Sequence, residues 1–247
     1  MTVHFIGAGP GAVDLLTLRA ERLIRRCPVC LYAGALVDPG ILALAPGRAI
    51  DTQGLDLEAI VAHLAEAHAA GEDVARLHSG DVSFYSAVGE QAERLDALGI
   101  PYALVPGVPA FAAAAAALGR PLTRPGLAQS VTLARWSQNA TPVGEGEDLA
   151  ALARTGATLC IHLARTAPER VAEALMPVLG PDCPAAIVSR ASLTGETVRE
   201  GRLMELDRLA EGLARPMLML VGRALDPVGK GRLESHLYAA ERDRMAR

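Results

Sequence analysis

The sequence predicts an α/β protein of two α/β domains, residues 1-117 and 118-247: first a mostly parallel sheet with helices on both faces, then a mixed sheet. Three observations predict it. Short apolar runs alternate with helical-period segments through the first half, the pattern of strand–helix units with parallel strands. The chain is 51% hydrophobic but only 3% aromatic, so its core is built from Ala, Val, Leu and Ile, as buried parallel strands require. In the second half, the run at 197–202 follows the preceding strand with no room for a helix, which forces an antiparallel neighbour.

The first strand, at 3–6, enters Gly7-Ala8-Gly9-Pro10-Gly11, and a helix is expected from about Asp14 to Arg26. Leu15, Leu18, Leu23 and Ile24 give that helix an apolar face, while Arg22, Arg25 and Arg26 suit its C-terminal dipole. Gly7-x-Gly9-x-x-Ala12 fits the dinucleotide fingerprint in its Ala form. Pro10 counts against it by removing an N–H that a pyrophosphate would use. The ribose-binding acid expected about 20 residues on is also missing, since the strand at 29–32 leads into Ala33-Gly34-Ala35-Leu36-Val37. An NAD(P)-binding Rossmann oxidoreductase is therefore the lesser reading.

A helix begins near Leu57, with Leu57, Ile60, Val61 and Leu64 as its buried stripe and Gly71 as its stop. The strand at 74–78 runs into Ser79-Gly80-Asp81-Val82-Ser83-Phe84-Tyr85, and a helix follows to Leu98. The strand at 102–105 enters Pro106-Gly107-Val108-Pro109-Ala110, then an alanine-rich helix. In such sheets ligands bind beyond the carboxyl ends of the strands, so the loops at 7–11, 79–85 and 106–110 converge at one edge. Pro and Gly mark 120–126 as a linker. Beyond it, strands are expected near 130–134, 158–163, 185–189, 197–202 and 217–222, helices near 147–154, 168–179 and 207–213, and a polar tail over 231–247.

Net charge is −4 with no long run of one sign, which points to neither nucleic acid nor an anionic membrane surface. No basic stretch followed by a long apolar run opens the chain, so the expected location is cytoplasmic with no membrane association. Cys27-Pro28-Val29-Cys30 lies where a helix ends and a strand begins, the reverse of a thioredoxin-like motif, and no partner pair completes a zinc site. Cys27, Cys30, Cys160 and Cys183 read as buried, inert thiols, and no metal site is expected. The cations are nearly all Arg, a residue suited to gripping carboxylates through paired hydrogen bonds.

Gly7-x-Gly9-Pro10-Gly11, Ser79-Gly80-Asp81, Val105-Pro106-Gly107, Leu122-Thr123-Arg124 and Ala128-Gln129-Ser130-Val131, in that order, resemble the tetrapyrrole (corrin and sirohaem) methyltransferases. Leu31 to Val37 and Ser235-His236-Leu237-Tyr238 resemble the branch that methylates precorrin-4 at C-11 in cobalamin synthesis. The uroporphyrinogen-III branch carries an aspartate where this chain has Ala33, and a lysine soon after that is missing here. The resemblance implies a homodimer using S-adenosylmethionine, released as S-adenosylhomocysteine, in a cleft between the two domains. It implies cofactor contacts at Pro10, Ser79, Gly80, Asp81, Phe84, Pro109, Ala110, Leu163 and Ala191. The family usually has Pro at Val82, and many members have Ser or Thr at Pro109 and Met at Leu163.

The implied substrate is precorrin-4 or cobalt-precorrin-4, whose carboxylates make Arg76, Arg124 and Arg135 candidates, Arg124 foremost, with Tyr32 lining the cavity floor. Asp81, Tyr85 and His78 are the catalytic candidates. Asp81 either accepts from the cofactor's ammonium end, fixes its loop or caps the following helix. Tyr85 either handles a proton or packs in the core with a tethered hydroxyl. Rival readings are another precorrin or uroporphyrinogen-III C-methyltransferase, the Rossmann oxidoreductase, and a non-catalytic nucleotide-binding module.

Overall fold

The computed structural model describes residues 1–136, 148–164 and 166–226. The chain divides into two compact units, Met1–Ala113 with Ala191–Gly195, and Ala114–Arg190 with Glu196–Arg247. The helix start expected at 147 and the tail over 231–247, with Ser235-His236-Leu237-Tyr238, lie outside the described residues.

In the first unit, β1 (Val3–Gly7), β2 (Val29–Tyr32), β3 (Arg48–Asp51), β4 (Val74–His78) and β5 (Tyr102–Val105) form one sheet in the order β3-β2-β4-β1-β5. Every pairing in it is parallel. Because side chains alternate along a strand, each face collects its own core. On one face Val3, Phe5, Val29, Leu31 and Val74 pack with α3 (Leu57–Ala69) and α4 (Val88–Ala97) through Leu64, Ala67, Val88 and Leu95. On the other, Ile6, Cys30, Ala75 and Leu77 meet Ala20 and Ile24 of α1 (Leu18–Arg26) and Ile41 of α2 (Pro39–Leu42). Leu31 and Leu64 are wholly buried, and truncating either to Ala costs about 2–5 kcal/mol.

Besides α2, which the sequence did not mark, two elements differ from expectation. The helix expected from Asp14 is a 3-10 turn at Val13–Leu15, and α1 starts at Leu18, where the Thr17 side chain accepts from the Ala20 N–H at 3.1 Å. Leu16 is extended at ψ 139°, so the two pieces do not join. Strand β3 was not foreseen. Its Arg-Ala-Ile-Asp is mostly exposed, and only pairing with β2 on the sheet's edge makes it a strand.

The second unit has a mixed sheet, as expected. Its strands are β6 (Val131–Arg135), β7 (Thr158–His162), β8 (Pro184–Ser189), β9 (Thr197–Arg202) and β10 (Met217–Val221), ordered β6-β7-β10-β8-β9. The β6–β7 pair is parallel and the other pairs antiparallel. Beyond α5 (Ala110–Leu118), its core gathers Leu159, Ile161, Ile187, Met219 and Val221 with Leu149 and Ala153 of α6 (Leu149–Ala153), Val171 and Leu175 of α7 (Pro168–Leu179) and Leu206 and Leu209 of α8 (Leu206–Ala210).

Candidate active site

In the first sheet β4, β1 and β5 are neighbours, so the loops leaving their carboxyl ends are forced together. They interlock through backbone. Gly9 and Gly80 exchange hydrogen bonds, Gly9 N to Gly80 O at 3.1 Å and Gly80 N to Gly9 O at 2.7 Å, and Ala8 N donates to His78 O at 2.8 Å. Glycine is required where they cross. A Cβ on Gly7 would stand 2.6 Å from Gly107 N and 2.8 Å from Gly80 O. One on Gly107 would stand 2.6 Å from Gly7 O. Gly80 has φ 71°, the left-handed backbone that favours glycine, and its Cβ direction points to Ala110 N at 3.6 Å and Pro109 Cα at 3.9 Å.

Asp81 fastens these loops. Its Oδ2 accepts from the Gly107 N–H at 2.7 Å, and its Oδ1 from the Ser83 N–H at 2.8 Å. Burial raises its carboxyl pKa, but the hydrogen bonds from Ser83 and from the Gly107 backbone outweigh that, and the net shift is downward. Of the three roles open to Asp81, helix capping is excluded, because α4 begins only at Val88 behind an Ala87 N-cap. Fixing the loop is what its side chain does.

The turn after β1 has little left for a pyrophosphate. The N–H groups of Ala8 and Gly9 are spent on the β4 loop, Ala12 donates to Ser192 Oγ at 3.1 Å, and Pro10 has none. The chain then enters a 3-10 turn rather than a helix N-terminus.

The remaining first-unit candidates fall into two groups. Pro10 is buried in the turn, Ser79 is exposed, and Pro109 and Ala110 open α5 (Ala110–Leu118). Phe84, 38% exposed, meets Phe111 edge to face with ring centroids 5.9 Å apart. Tyr85 is 47% exposed at φ 51°, a left-handed backbone unusual for an aromatic residue, which rules out the core-packing reading. Ala191 lies in the segment Ala191–Gly195 that belongs to this unit, between Arg190 at φ 54° and Ser192 at φ 65°.

Tyr32, Arg76 and His78 sit in the strands rather than in the loops. Tyr32 is half-buried, and its carbonyl accepts from both the N–H and the hydroxyl of Thr52, at 2.8 and 2.9 Å. Arg76 corrects the expectation of a carboxylate-gripping arginine. It is 4% exposed on the α4 side of the sheet, with Nε donating to Gln91 Oε1 at 3.1 Å and Nη1 to Thr52 Oγ1 at 3.1 Å. Burial pulls its pKa down to about 10. It is an internal strut. His78 is likewise buried, its ring 5.9 Å from that of Phe5 and its Nε2 without a hydrogen-bond partner among the described residues. Burial, then the Arg76 charge, hold its pKa down to about 3 against the opposing Ser86 backbone hydrogen bond. An imidazole so placed stays neutral and is no proton shuttle at ordinary pH.

In the second unit Leu163 follows β7, 62% exposed at φ 59°. Arg124 is half-buried, and its Nη1 donates to the carbonyls of Asp226 at 2.7 Å and Ala224 at 3.5 Å, so it first braces the turn after β10. Arg135 sits in β6, half-buried. Ser192 and Leu193 were not singled out from sequence. No motif marks them, and only the left-handed backbone around Ala191 signals that the segment is held in place.

The family model for tetrapyrrole (corrin/porphyrin) methylases matches residues 2–207. A precorrin-4 C(11)-methyltransferase of Rhodococcus erythropolis is 52% identical over 248 residues, covering 99% of each protein. A solved cobalt precorrin-4 methyltransferase superposes with a TM-score of 0.88 at 34% identity, covering 92% of this chain and 96% of that one. A uroporphyrin-III C-methyltransferase from Thermus thermophilus, solved with S-adenosyl homocysteine, gives a TM-score of 0.78 at 33% identity, covering 91% of this chain and 99% of that one. The glycine crossing of three parallel-strand loops thus sits in a chain that belongs to the tetrapyrrole (corrin/porphyrin) methylases.

Proposed function

We propose that the protein transfers a methyl group from S-adenosylmethionine to C-11 of precorrin-4, on the route to cobalamin. The observation that carries the donor site is the interlocking of Gly7–Gly11, Gly80 and Gly107, which brings backbone from three strands to one point. Its residues suit the donor. Among Pro10, Ser79, Gly80, Asp81, Phe84, Pro109, Ala110 and Ala191, Asp81 is the single charged residue, and its sign suits a positive sulfonium. The edge of aromatic side chains at Phe84 and Phe111 offers a face to a nucleoside or a cation. When bound, S-adenosylmethionine supplies an activated methyl carbon for in-line displacement.

The chain's own work is to orient the two reactants and exclude water. Gly80 and Ala110 present backbone to the donor, Pro10 and Pro109 stiffen their turns, and Asp81 keeps the β4 and β5 loops at fixed spacing. We assign Leu163, exposed on a left-handed backbone, to the donor as well. Tyr85 is the polar side chain we assign to proton handling, because His78 is buried and neutral. Arg124 and Tyr32 remain our substrate-side assignments. The 52% identity to a precorrin-4 enzyme, against 34% to a cobalt precorrin-4 one, supports the cobalt-free macrocycle.

We take the enzyme to be a cytoplasmic homodimer, its four cysteines free and buried. Light scattering of the purified protein checks the assembly. The deciding experiment incubates it with methyl-labelled S-adenosylmethionine and either precorrin-4 or cobalt-precorrin-4, then locates the label by NMR. Label at C-11 of the cobalt-free product is expected. Label at another ring carbon, or no donor consumption with either macrocycle, overturns the assignment.

A further inference from the structure

We propose that Ser192 and Leu193 are positioning residues for the methyl-donor site, a latch that closes on the glycine turn and fixes Ala191 beside it. Segment Ala191–Gly195 follows β8 in the chain and belongs to the first unit. It holds the turn after β1 at two points. Ser192 Oγ accepts the Ala12 N–H at 3.1 Å, and the Leu193 side chain fills the space a Cβ on Gly11 would need, with Cδ1 at 3.1 Å from that position. Gly11 is therefore the socket for Leu193, a role separate from any contact with a ligand.

The latch is held under backbone strain. Ser192 at φ 65° and Arg190 at φ 54° are non-glycine residues in the left-handed region, a conformation that persists only where the surroundings over-determine it. The residue between them is Ala191, and the residue before the socket is Pro10. Both are donor contacts in the proposed function, on which this inference rests. Ser192 and Leu193 thus act through their neighbours: with the hydroxyl or the isobutyl group removed, Ala191 and Pro10 keep their identities and lose their fixed spacing.

The test uses the full chain and S-adenosylhomocysteine as the titrated probe, with the wild type and Ser192→Ala, Ser192→Asn and Leu193→Ala. Ser192→Ala and Leu193→Ala are expected to raise the dissociation constant about tenfold, or about 1.4 kcal/mol. The donor KM should rise in proportion while kcat at saturating donor holds, a split that general loss of folded protein does not produce. Ser192→Asn keeps a side-chain oxygen and tolerates the left-handed backbone, so it should recover much of the affinity. Hydrogen exchange at the Ala12 amide reads the latch without any ligand and should quicken in Ser192→Ala alone among the serine variants. Wild type that binds no S-adenosylhomocysteine sinks the donor reading itself. Wild type that binds, with both alanine variants binding equally well and Ala12 exchange unchanged, overturns the latch and leaves that reading standing.

Discussion

The clasp at Asp81 makes the sharpest prediction. Asp81→Ala removes an acceptor that ties the β4 loop to the β5 loop across 26 residues of sequence. Hydrogen bonds to a charged group contribute about 1.5–3 kcal/mol each. Two backbone donors lose their partner, at 2.7 and 2.8 Å, but they are not equal. Ser83 is exposed, and water replaces its acceptor, whereas Gly107 is partly buried among the backbone atoms of Gly7 and Gly80. Counting the Gly107 bond in full and the Ser83 bond hardly at all gives a loss of about 1.5–3 kcal/mol. In a chain of this length each kcal/mol lowers the melting point by about 2–4 °C, so the expected drop is roughly 3–12 °C. Asp81→Asn retains one oxygen and should fall between the two.

The pH dependence follows from the lowered pKa of Asp81. A folded-state pKa below the unfolded value means the unfolded chain binds the proton first as pH falls. The stability Asp81 contributes is complete above the unfolded value of about 3.9 and drains away as pH drops through the lower folded value. The gap in melting point between wild type and Asp81→Asn should therefore be constant near neutrality and close in acid. Differential scanning calorimetry from neutral pH into acid reads both effects. Asp81→Ala melting with the wild type at neutral pH, or a gap that widens in acid, would refute the clasp.

Other expectations come from the same geometry. Gly107→Ala drives a methyl into the carbonyl oxygens of Gly7 and Gly80, and should destabilise by about 1–3 kcal/mol or more by overpacking; a variant as stable and active as wild type would mean the loops yield easily. His78, held near a pKa of about 3 against an unfolded value of about 6.5, leaves the unfolded state binding more protons between them, so it erodes stability as pH falls below about 6.5. His78→Leu should flatten that decline, while His162, lowered to about 4 by burial, acts alike in both proteins; parallel stability curves for variant and wild type would remove His78 as the cause. The thiols of Cys27 and Cys30, raised by burial to about 11 and 12, should ignore a thiol reagent at mild pH in native protein and react once it unfolds; rapid native labelling would contradict their burial.

How far the sequence could be read depended on whether a feature was local. The strand–helix alternation of the first half is written in side-chain periodicity, and the mixed second sheet in the missing helix before β9, so both were legible. Strand β3 was not, because Arg-Ala-Ile-Asp has no strand signal of its own and owes its conformation to β2 alongside it. Asp81 was ambiguous for a comparable reason: its partner is Gly107, and no local pattern announces a bond of that separation. Arg76 differs in another way: its expected role is to grip substrate carboxylates, yet Val74, Ala75 and Leu77 surround it in a strand buried throughout. A cation in the middle of such a strand must find polar partners inside, and Gln91 and Thr52 supply them.

That the three glycine-rich loops converge was the most legible feature of the first unit, and it followed from their place after parallel strands. Parallel strands send all their carboxyl ends to one edge, so glycine-rich loops on three of them must share a neighbourhood whatever their side chains. Sheet order then decides whether they touch. With β1 between β4 and β5, the turn after β1 lies between the other two, and its glycines become the places where neighbouring backbones cross. This is why Gly7 and Gly107 tolerate no Cβ whereas Gly71 and Gly99, which end α3 and α4, have nothing within 4 Å. Glycines of the first kind let neighbouring loops interlock and those of the second merely end a helix. Alanine at Gly99 should strain only its own left-handed turn, whereas at Gly107 it should push the β1 and β4 loops away from the β5 loop together.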